Sequence, residues 1–138
     1  MAFEVETQNL QGRVTTVGSA SGHTLIIDRA VNSGGGGLGF NGGELLHLAV
    51  AGCVSNDLFL LAGMKGIELT SLRIVARGIF AGNPPVSQGI DYDVEIRGRA
   101  SEAQLEALVH EVDAIAEIPN SLRGATAVRL GKVRATQD

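Results

Sequence analysis

Residues 41–64, NGGELLHLAVAGCVSNDLFLLAGM, form the longest apolar run in the chain and hold its only cysteine, Cys53. Asn41 is a good N-cap, and Glu44 stands three positions on, where its carboxylate can return the hydrogen bond as a capping box. Beyond that start, Leu45, Leu46, Leu48, Val50, Ala51, Val54, Leu58, Phe59, Leu60 and Leu61 spread around most of a helical circumference. A helix apolar nearly all round must be buried on nearly all sides. A length of roughly 20 residues would also permit a membrane span, but His47, Ser55, Asn56 and Asp57 interrupt the apolar surface. The run therefore predicts a long, buried central helix with a thiol inside it, and no membrane partner.

Around such a helix, 138 residues are enough for one domain with a substantial core. A hydrophobic share of 44% against 19% charged residues fits a soluble globular chain. The formal charge of −4 and the absence of a basic cluster give no electrostatic footprint for nucleic acid. With no Trp, one Tyr and four Phe, a base-stacking surface is also excluded. The first residues, MAFEVETQNLQG, show no secretory pattern. A lone cysteine cannot form an intrachain disulfide and fits a reducing, cytoplasmic setting.

Before the central run, Phe3, Val5 and Thr7 alternate with polar residues, and residues 13–17 are β-rich. Residues 18–22, GSASG, read as a turn into the strand HTLIID, giving an antiparallel meander. The glycine-rich residues 32–39 read as a flexible loop, and Gly66 as a left-handed cap closing the helix. Residues 67–81 alternate as a strand, residues 82–89 turn through Pro84 and Pro85, and residues 90–99 return. On that second strand Ile90, Tyr92, Val94 and Ile96 oppose Asp91, Asp93, Glu95 and Arg97, so the hairpin has one wet face. Ser101 and Gln104 form a second capping box, opening a helix to about residue 116 with Leu105, Leu108, Val109, Val112, Ile115 and Ala116 as its stripe. Pro119 breaks that helix, residues 120–123 suit a short helical turn, and residues 125–133 a final strand. Meander, helix, hairpin, helix and strand in this order make an α+β single domain over residues 1–138.

Few residues bear chemistry. Gly34, Gly36 and Gly39 formally match a dinucleotide fingerprint, but a run of four glycines supplies most of the match, and Asp57 falls inside the helix rather than at the end of a following strand. His23, His47 and His110 have no metal-ligand spacing with one another or with Cys53, and no metal or cofactor is expected. Ser55 lies outside any nucleophile-elbow pattern. Cys53 is the strongest candidate, although unpaired cysteines most often pack as small hydrophobes. A reactive thiol needs a nearby cation. Asn56 and Asp57 occupy the positions three and four residues on, so any such cation must come from elsewhere in the fold.

Three segments resemble the OsmC/Ohr family, whose members include cysteine-based hydroperoxide reductases. TLIID at residues 24–28 is similar to the family's last N-terminal strand; GGELLHLAVAGC at residues 42–53 resembles its P-x-E-L-L-x-x-A-x-x-x-C helix; EIPNSL at residues 117–122 resembles the segment that reads C-P-x-S in peroxidase members. The resemblance spans residues 25–133 and implies an intertwined homodimer with its active sites near the interface. It implies that Cys53 takes the place of the attacking cysteine, while Ile118 stands where the resolving cysteine would be. The family's glutamate falls by spacing at Gly43, one residue before Glu44, and Arg13 is the candidate for its early arginine. An isoleucine cannot resolve a sulfenic acid, so turnover would need an external thiol. Three readings follow: a one-cysteine peroxidase acting on organic hydroperoxides, with Cys53, Glu44 and Arg13 as site residues; a homodimer binding a small apolar ligand; or a scaffold without a pocket.

Overall fold

The computed structural model describes residues 2–125 and 127–138. Its elements are β1 (Glu6–Asn9), β2 (Thr16–Ala20), β3 (His23–Ile27), a 3-10 turn (Val31–Ser33), α1 (Gly42–Met64), β4 (Leu69–Ala81), β5 (Val86–Gly98), α2 (Glu102–Ile115), α3 (Glu117–Arg123) and β6 (Val128–Gln137). The architecture is α+β with two three-stranded sheets, ordered β1-β2-β3 and β4-β5-β6. The chain divides into two compact units, one ending at Leu46 and one running His47–Asp138, with the division inside α1.

The first unit is an antiparallel meander. The turn between β2 and β3 is tighter than the sequence predicts: β2 continues through Ala20, which pairs with His23, leaving only Ser21 and Gly22 between the strands. Both have positive φ, 52° and 80°. That is the left-handed pair a two-residue hairpin requires, because its twist matches that of the strands. Phe3 and Val5 lie outside β1 and are exposed, so the alternation at the start of the chain is not that of a strand.

The glycine run is built around one carboxylate instead of being a loose connector. Asp28, 5% exposed, accepts from the amides of Gly36 (3.1 Å to each oxygen), Leu38 (3.3 Å) and Arg29 (2.7 Å), and from Thr15 Oγ1 at 2.9 Å. A side chain at Gly36 would sit 2.8 Å from Asp28 Oδ2, and one at Gly35 would overlap the Arg29 backbone. The glycines are therefore required by close approach. The Gly36 amide holds the Asp28 carboxyl below the usual carboxylate range; burial opposes this, and Thr15, Arg29 and Leu38 add to the lowering.

In the second unit β4 and β5 form a long antiparallel hairpin, and β6 joins β5 in parallel. A parallel neighbour needs a crossover, which α2 and α3 supply. Ile90, Tyr92, Val94 and Ile96 are fully buried, while Asp91, Glu95 and Arg97 are exposed, as the alternation predicts. The wet face carries cross-strand ion pairs Arg73–Glu95 (3.0 Å), Arg77–Asp93 (2.7 Å) and Arg129–Asp91 (2.9 Å). Exposed pairs of this kind each contribute little.

Both capping boxes form. The Asn41 amide donates to Glu44 Oε2 at 2.8 Å and the Glu44 amide to Asn41 Oδ1 at 3.0 Å. Ser101 and Gln104 do the same for α2. Gly66, at φ 68°, ends α1, with the Ile67 amide reaching back to the Ala62 carbonyl at 2.9 Å. On α2 the stripe is Leu105, Leu108, Val109 and Val112, and Ile115 is exposed. Pro119 does not interrupt a helix; it falls in the first turn of α3, where its missing N–H is not needed.

A half-buried polar cluster joins these elements. Tyr92 Oη donates to Asp113 Oδ1, which also receives Arg123 Nη2 at 2.5 Å. Arg123 further donates to the carbonyls of Asp113 (2.8 Å) and Val128 (3.1 Å), tying α2, α3 and β6 together. Burial, and then the Asp113 carboxylate, push the Tyr92 phenol well above its ordinary range, so it stays a hydrogen-bond donor.

Candidate functional site

Only one stripe of α1 is buried: Val50, Val54, Leu58 and Ala62, at successive steps of four. The all-round burial expected of an all-round apolar helix is not met within one chain. Leu48, Phe59, Leu60 and Met64 are 48%, 53%, 66% and 75% exposed. By length and composition α1 is also apolar enough to cross a membrane. His47, partly exposed, lies three residues before Val50. Its imidazole lies against β4 so closely that a side chain at Gly78 would meet Nε2 at 2.5 Å. It is a packed histidine.

Cys53 sits beside the stripe, one position before Val54, and is partly exposed. Its thiol lies 3.9 Å from Asp57 Oδ2, one helical turn on, within reach for an S–H donor. Asp57 is itself half-buried, and among the described residues this thiol is its only hydrogen-bond or ion-pair partner. The other carboxylates shielded to this degree are compensated: Asp28 by backbone amides, Asp93 by Arg77 and the Lys132 amide, Asp113 by Arg123.

The other residues singled out in the sequence are placed differently. Glu44 is exposed and occupied in the capping box. Arg13 is exposed in the connection between β1 and β2, where its amide closes a turn onto the Leu10 carbonyl at 2.9 Å. Ile118 is at the second position of α3 and 37% exposed. Asp57, noted in the sequence as the residue four positions after Cys53, is the one whose side chain the fold brings against the thiol. Its i+4 spacing from Cys53 was the available signal, since residues four apart share a helix face.

A family model described as OsmC-like protein matches residues 34–131. The chain belongs to the OsmC-like family. Solved structures share its fold. An OsmC-like protein from Mycoplasma pneumoniae superposes with a TM-score of 0.80 at 18% identity, over 99% of this chain and 97% of that one. An organic hydroperoxide resistance protein OsmC from Legionella pneumophila gives 0.69 at 18%, over 97% of each chain. An organic hydroperoxide resistance protein from Elizabethkingia anophelis gives 0.74 at 15%, over 99% and 97%. No curated protein matches the sequence.

Proposed function

We propose that the protein is a one-cysteine hydroperoxide reductase with Cys53 as its nucleophile. The observation that supports this best is a lone, partly open thiol with a single carboxylate partner, at the position in α1 where the family helix signature ends. Similar folds named as organic hydroperoxide resistance proteins point to the same substrate class, and to a role in oxidative-stress defence. The sulfur attacks the distal oxygen of an organic hydroperoxide, the O–O bond breaks, and an alcohol leaves as Cys53 becomes a sulfenic acid. Ile118 offers no second thiol, so a small external thiol condenses with the sulfenic acid, releasing water. A second thiol equivalent then restores Cys53 and leaves as a disulfide. A reducing compartment such as the cytoplasm suits this cycle. The exposed side of α1 suits a homodimer, because a helix apolar on that side gains from cover that one chain does not provide. Glu44 and Arg13 are weaker site residues, on the resemblance alone.

A second reading has its own support: Gly43 and Ile118 stand where peroxidase members carry a glutamate and a cysteine, which suits a homodimer that keeps an apolar ligand site without turnover. Consumption of cumene hydroperoxide with dithiothreitol as reductant separates the two. Turnover that falls at least ~100-fold in Cys53→Ser supports the peroxidase. Equal background in both proteins, with thermal stabilisation by fatty-acid ligands, supports the binding protein.

A further inference from the structure

We draw no further inference here: the strongest candidate, the uncharged exposed face of α1 that carries Leu48, Asn56, Phe59 and Leu60, is an unpartnered apolar face, and nothing in the structure shows what covers it.

Discussion

Asp28 and Asp57 are both carboxylates drawn out of water, one in each unit, and they are treated in opposite ways. Asp28 receives three backbone amides and a hydroxyl, so its charge is answered and the glycine run is wrapped about it. Asp57 receives one weak donor, the thiol of Cys53. A shielded carboxylate with full compensation organises structure. One that keeps partial access to water needs no such compensation and leaves the local backbone free of it. Asp113 extends the comparison to a third case, compensated by the full charge of Arg123.

Removing the negative charge from each should rank them. Asp113→Asn is expected to have the largest effect on stability, about 2–4 kcal/mol by denaturant unfolding, because the partly buried Arg123 loses its counter-charge. Asp28→Asn is expected to act locally, with the Gly36 and Leu38 amides exchanging with solvent at least ~10-fold faster while amides of β5 are unchanged. Acid should reproduce that local release. The folded-state value of Asp28 is depressed, so its stabilisation is complete above the ordinary carboxylate range and is lost as pH falls through the lower folded value. Protection factors at Gly36 and Leu38, which correct for the pH dependence of intrinsic exchange, should therefore fall below about pH 4 before those in the core of the second unit. Asp57→Asn is expected to leave stability within about 0.5 kcal/mol of the parent. A large loss of stability in Asp57→Asn, or none in Asp113→Asn, would undo the ranking of these carboxylates by how fully they are compensated.

The limits of the capped helices and the wet face of β5 were legible in the sequence because each is local: a cap is set by residues three apart, and strand faces by alternation. The glycine run was not, because its order depends on a carboxylate that precedes it and on Thr15, thirteen residues before that carboxylate. Nor was the parallel docking of β6, a pairing between segments separated by two helices. On α1 the sequence showed how much of the surface is apolar but not which stripe one chain would bury; Val50, Val54, Leu58 and Ala62 emerge only from packing. Cys53 was legible as the only thiol. Its pairing with Asp57 was visible as spacing, and the fold sets the two side chains 3.9 Å apart.

The most direct test is intact-mass spectrometry after one equivalent of cumene hydroperoxide in the presence of dimedone, a sulfenic-acid trap. Met64, 75% exposed on the same helix, serves as the internal comparison. The account expects one dimedone adduct at Cys53 within seconds and an unmodified Met64. A Cys53 that stays reduced while Met64 is oxidised as fast or faster would contradict it and leave the thiol as a packing residue.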